Sequence, residues 1–188
     1  FKTRSDDAIV TLASALFDAL LFAGGLSTPQ VISCALAVVY SSNSPGPGIR
    51  LSEETIPPLV WETIRYFSPV VGFPWYDGPG KKQRTILNLS TAMRDSRVWG
   101  EDWNRFKLRD LMQYHKLSVA FAENAHSEET PAYSRRCPAK DLGLAMATGF
   151  LTEFNKCSDK WLITGQDKME IKFKPATPFI SNFRFLPG

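Results

Sequence analysis

The chain has 188 residues, of which 22 are Lys or Arg, 19 are Asp or Glu and 2 are His, a net charge of +3 at neutral pH. At 44% hydrophobic and 22% charged it lies in the ordinary globular range, which excludes a disordered chain, a collagen and a disulfide-dense miniprotein. The small net charge leaves no footprint for nucleic acid, and the length suits one domain with a real core or at most two small ones.

Thirteen Phe and five Trp suggest a large apolar cavity or an extensive buried interface. Cys34, Cys137 and Cys157 cannot all pair within the chain, so a reducing, intracellular compartment is the default. The first residue is Phe1 and not Met, which implies a removed leader or part of a longer product, and nothing at the start reads as a signal peptide.

From Ala8 to Ser42 the only charge is Asp18. That residue, the Gly24-Gly25 break and Pro29 argue against a membrane span, and the stretch reads as a long helix buried on most faces. Ser5, Asp6 and Asp7 would cap it and supply an acidic first turn. Residues 42–48 form a loop by composition. Ser52-Glu53-Glu54 opens a second helix, apolar through Leu59 and Val60 and reaching Tyr66, with Pro57 and Pro58 confined to its first turn. Residues 70–76 are strand-like, 77–82 are a turn rich in Gly and Lys, and 84–90 alternate as a strand does. Thr91 to Phe106 reads as short helices and loops anchored by Trp99 and Trp103, and residues 123–136 are polar and irregular. Pro138 to Phe154 is predicted as an amphipathic helix with Pro at its first position and Leu142, Ala145, Met146, Gly149 and Phe150 at helical spacing. Short strands at 161–164 and 169–174 precede a tail rich in Pro and Phe, and there is no internal repeat.

Four pieces carry chemistry. The Ala23-Gly24-Gly25 break interrupts the first helix. Glu62 and Arg65 share a helix face and can pair, although most such pairs are solvated surface pairs. The Trp99 to Arg109 segment supplies another arginine. Cys137 follows Arg135-Arg136 and precedes a proline-started helix, so the helix N-terminus and both arginines favour a thiolate, which can ligate haem iron. The plainer reading of Cys137 is an inert buried thiol. His115 and His126 give no ligand pattern and read as surface or loop residues.

In this order the four pieces resemble the C-terminal half of a cytochrome P-450, over nearly all of the chain. The resemblance implies a mainly α fold with small β-sheets, with residues 1–188 forming a single partial domain that lacks the N-terminal half. It places Glu62, Arg65 and Arg109 on the family's structural Glu-Arg-Arg triad and Cys137 on the axial haem ligand. Ordinary members carry Phe-x-x-Gly-x-x-x-Cys; here Phe121 stands sixteen positions before Cys137, residues 123–131 look like an insertion, and Cys137 continues as Cys-Pro-Ala-Lys-Asp. These features are similar to the fatty-acid hydroperoxide group of allene oxide synthases, hydroperoxide lyases, divinyl ether synthases and epoxyalcohol synthases.

That resemblance implies haem contacts from Cys137, Phe121, Gly24 and Gly25. It implies a substrate pocket lined by Leu21, Ala23, Leu26, Ser27, Phe73 and Trp75, the last two being equally readable as core packing. Leu26 and Ser27 stand where monooxygenases carry an acid–alcohol pair, so the proton relay for oxygen is missing. The hydroperoxide group needs neither that relay nor a reductase. Leu21 stands where the group has Asn, with Asp18 one turn earlier, and Lys107-Leu108 replaces the usual meander proline, so no catalytic residue is assigned. The half length implies a second polypeptide or a missing half covering one haem face. A truncated, non-catalytic accessory or scaffold subunit of a larger, membrane-associated assembly is the competing expectation. The resemblance suggests a plastid or an organelle membrane surface.

Overall fold

The computed structural model describes residues 6–19, 25–70, 72–76, 84–122, 137–168, 170–174 and 177–188. The apolar N-terminal stretch is two helices, not one. Helix α1 spans Asp6–Ala19 and α2 spans Ser27–Tyr40. Pro29 lies in the first turn of α2, where no intrahelical amide bond is required of it, so the proline that would break a continuous helix is compatible with a fresh start. The expectation of burial on most faces holds for α2, which buries Val31, Cys34 and Ala35 through Val38. It fails for α1, whose described side chains from Ala8 to Phe17 are all exposed. Among the described residues no helix is long and apolar enough to cross a membrane.

Helix α3, Ile56–Phe67, starts two residues beyond the predicted Ser52-Glu53-Glu54 opening. Those residues belong to the turn before it, where Ser52 and Thr55 exchange hydrogen bonds: the Ser52 amide donates to Thr55 Oγ1 and the Thr55 amide to Ser52 Oγ. Pro57 and Pro58 occupy the first turn, as the missing donors require. A hairpin follows, β1 Gly72–Tyr76 against β2 Arg84–Asn88, antiparallel with Pro74 opposite Ile86. Two one-turn helices, α4 Leu89–Ala92 and α5 Ser96–Trp99, are capped by the side chains of Asn88 and Asp95. The Arg97 guanidinium and the Arg97 amide hold the Asp95 carboxyl down at about 2. Of the two predicted anchors here, Trp99 is buried and Trp103 is exposed. What Trp103 contributes is its main-chain carbonyl, described below.

Helix α6, Leu111–Leu117, is capped by Asp110, whose carboxylate accepts from the Met112 amide at 2.7 Å. Helix α7 spans Lys140–Lys156, starting two residues later than predicted, with Pro138 in the preceding turn. Its buried residues are Ala147, Leu151 and Phe154, whereas the predicted stripe of Leu142, Met146 and Phe150 is exposed. Both stripes have helical spacing, and the neighbours decide which one is covered. The α2, α3 and α7 faces meet in one core of Cys34, Leu36, Leu59, Ile64, Leu151 and Phe154.

The C-terminal region holds four strands among its described residues. Strand β3 Trp161–Thr164 pairs antiparallel with β6 Arg184–Pro187, and β4 Glu170–Lys174 with β5 Thr177–Ser181. The Pro- and Phe-rich tail thus supplies two strands that its composition hides. Of its prolines, Pro178 and Pro187 sit in two-stranded ladders, where an edge tolerates a missing donor.

Candidate functional site

Glu62 and Arg65 are fully buried one helical turn apart on α3. An unpaired carboxylate there would cost several kcal/mol, so its partners matter. Arg65 grips it with both arms, Nη2 donating to Oε1 at 2.7 Å and Nε to Oε2 at 2.8 Å. Arg109 donates from Nη1 to Oε1 at 2.6 Å, and the Lys107 amide donates to the same oxygen at 2.9 Å. Tyr114 completes the shell, its hydroxyl donating to Oε2 at 2.9 Å and accepting from the Arg109 amide at 3.1 Å.

The remaining N–H groups of both arginines collect carbonyls of the meander. Arg65 donates to the carbonyls of Trp103 at 2.7 Å and Arg105 at 2.9 Å, and Arg109 to that of Asp102 at 2.8 Å. Trp99 lies beneath both guanidiniums, 5.1 Å from Arg65 Cζ and 5.6 Å from Arg109 Cζ. One carboxylate therefore staples residues 99–109 to α3. Tyr114 reaches it because Asp110 starts α6 one turn earlier. Burial, and then the adjacent Glu62 charge, raise the Tyr114 hydroxyl well above the ordinary phenol range.

Cys137 lies just before α7, half-buried, and its amide donates to the Phe121 carbonyl at 2.9 Å. The structure thus joins two predicted site residues across the polar segment between them. Phe121 has φ +60° and rests its ring edge-on against Trp61 at 5.8 Å. Trp61 is the residue before Glu62, so the cysteine turn and the carboxylate network share one stretch of α3. Gly143 of α7 faces Thr28 of α2, where a Cβ would stand 3.5 Å from the Thr28 hydroxyl. This brings the first turns of the two helices together.

Gly25 and Leu26 line a cleft of about 460 Å³ with Pro29, Gln30, Phe150, Phe183 and Phe185. Ser27 is half-buried at the first position of α2. Leu21, Ala23, Gly24, Arg135, Arg136 and His126 lie outside the described residues, and for Phe73 and Trp75 the structure describes only the β1 backbone. His115 is exposed, with its ring 5.1 Å from Trp61. The residues not singled out from the sequence are Tyr114, Trp61 and Lys140, whose Nζ lies 5.6 Å over the Trp61 ring. Only the adjacency of Trp61 to Glu62 offered a signal.

Among the described residues no group of three or more His, Cys, Asp or Glu could hold a metal ion by itself. The Cys137 thiol just before α7 is a donor that would suit a single bond to haem iron.

No protein-family model matches the chain, and no curated protein matches it. Solved structures do. A cytochrome P-450 from Bacillus megaterium, solved with corticosterone, aligns with a TM-score of 0.64 at 18% identity, covering 97% of this chain and 48% of that one. A cytochrome P-450 from Novosphingobium aromaticivorans aligns with a TM-score of 0.61 at 16% identity, covering 96% and 56%. The fold is that of cytochrome P-450. A third match, an unusual P-450-like monooxygenase of microbial secondary metabolism, aligns at 0.62 and 16% identity, covering 90% and 45%. The chain spans about half the length of the P-450 structures it matches. The mainly α architecture with small antiparallel sheets, expected as the C-terminal half of this fold, is the one observed.

Proposed function

We propose that this chain is the ligand-bearing half of a haem-thiolate protein that rearranges fatty-acid hydroperoxides without a reductase. The observation that carries it is the Cys137 amide bonded to the Phe121 carbonyl, at the start of α7 and beside the Glu62 network. When bound, the haem supplies an iron able to split an O–O bond that the substrate already contains. Cys137 would hold that iron through its sulfur. Glu62, Arg65 and Arg109 hold the meander rigid around that turn. Gly25 and Leu26 give the cleft an apolar mouth, and Phe150, Phe183 and Phe185 give it walls suited to an acyl chain. Leu26 and Ser27 place no acid there to move a proton, which favours a substrate needing none.

A second reading is a non-catalytic subunit. Under either reading the exposed Ile9, Val10, Leu12, Leu16 and Phe17 of α1 form an apolar surface that calls for a cover. The remainder of the fold, on the same or another polypeptide, is the cover we assign to it.

The deciding experiment is an absorption spectrum of the natively purified protein after reduction and carbon monoxide. A Soret band of the ferrous thiolate–CO type, followed by loss of added fatty-acid hydroperoxide without NADPH, supports the enzyme. A well-folded sample that contains no haem overturns it in favour of the subunit.

A further inference from the structure

Cys137 is bonded on both sides to residues that meet one aromatic side chain, Trp61. Upstream, its amide bonds to Phe121, whose φ of +60° is a backbone conformation that a bulky L-residue keeps only when its surroundings impose it. The imposing contact is the Phe121 ring on the Trp61 indole, edge-on at 5.8 Å. Downstream, Lys140 returns its amide to the Cys137 carbonyl at 3.4 Å and lays its ammonium 5.6 Å over the same indole. Trp61 is itself fixed. It is buried, Tyr114 stacks on it at 6.0 Å with 13° between the planes, and His115 meets it edge-on. Tyr114 belongs to two systems, its ring to the stack and its hydroxyl to Glu62.

We propose that Trp61 is a positioning residue for the Cys137 sulfur, with Phe121 and Lys140 as the arms through which it acts and Tyr114 as its brace. The importance of that position rests on the haem-ligand reading above, but the positioning itself is measurable in the chain without haem.

The test uses Trp61→Leu, Phe121→Leu and Tyr114→Phe, with two readouts at Cys137: hydrogen exchange of its amide, and its alkylation rate by iodoacetamide resolved by mass spectrometry. Trp61→Leu and Phe121→Leu are each expected to raise both by about five- to tenfold, the loss of one or two aromatic contacts. Tyr114→Phe keeps the stacked ring and drops the hydroxyl, so it lowers the unfolding midpoint yet leaves both readouts within about twofold of wild type. Phe121 is only half-buried, so its variant reports even where Trp61→Leu fails to fold. Unchanged exchange and alkylation in folded Phe121→Leu overturns the proposal. So does a Tyr114→Phe response as large as that of the leucine variants, because the effect is then general softening. Haem reconstitution is scored separately. Wild-type protein that takes up no haem but shows this exchange pattern supports the positioning and overturns the haem reading alone.

Discussion

Replacing Glu62 by Gln changes almost no volume and removes one buried charge. Five donors converge on the two carboxylate oxygens: two from Arg65, one from Arg109, the Lys107 amide and the Tyr114 hydroxyl. Glutamine keeps one acceptor oxygen and presents a donor where the other stood. Placed with its carbonyl at Oε1, it retains three of these bonds, and the Tyr114 hydroxyl can turn to accept from the amide. The Arg65 Nε–H then has no acceptor, a loss of about 1.5–3 kcal/mol for a charged hydrogen bond. Two guanidiniums, one fully buried and one nearly so, also lose their counter-charge, and breaking a buried pair in this way costs about 3–5 kcal/mol in all. Their stacking on Trp99 offsets little of this, since such contacts are worth about 1–2 kcal/mol and exist in both proteins. The assay is urea denaturation followed by tryptophan fluorescence and far-ultraviolet circular dichroism in parallel. In a thermal melt alongside, the expected loss lowers the midpoint by roughly 10–15 °C for a chain of this size. A Glu62→Gln protein within about 1 kcal/mol of wild type would refute the reasoning, because the network would then be geometry without energetic weight.

Other outcomes follow from single features. Burial pushes the Cys34 thiol up to about 12 and raises the Tyr114 hydroxyl, so the native state keeps two protons that the unfolded chain releases in alkali. Stability is therefore full below about pH 8.5 and falls as pH rises, by about 1.4 kcal/mol per pH unit for the thiol and, above about pH 10, by as much again for the tyrosine; denaturation midpoints from about pH 8 to 11 check this, and Cys34→Ala reduces the slope. Cys137→Ser changes stability by only about 0.5 kcal/mol, since the side chain is half-exposed, while a reconstituted sample loses the thiolate-type CO spectrum; an unchanged spectrum removes Cys137 as ligand. Gly165 has φ +77° and its missing Cβ would run into the Asn182 carbonyl, so Gly165→Ala destabilises by about 2–3 kcal/mol in thermal melts without altering Cys137 alkylation.

The legible parts of this molecule were those set by short spacing. Glu62 and Arg65 three residues apart and prolines in a first turn each act within one or two helical turns. What escaped was decided by partners distant in sequence. The Leu142–Met146–Phe150 stripe has the same period as the Ala147–Leu151–Phe154 face, and only α2 and α3 choose between them. Trp103 invited assignment as an anchor because of its side chain, yet its contribution is a carbonyl that no residue type announces. Tyr114 lies 52 residues from Glu62, and a tyrosine in a short capped helix gives no hint that its hydroxyl closes a buried shell. The joining of Phe121 to Cys137 depended on a resemblance to a known motif, because sixteen residues of separation specify no contact by themselves.

That single amide–carbonyl bond also bears on how such a chain can change over evolution. With both ends of residues 121–137 clamped, the segment between them can lengthen without displacing the cysteine, whatever path it takes. Growing the separation from seven residues, as in the ordinary motif, to sixteen adds an entropic closure cost of only about 0.7 kcal/mol. Sequence can therefore be added directly beside Cys137 at almost no thermodynamic penalty. The clamp makes this position a tolerant insertion point, where length can vary while Cys137 keeps its place.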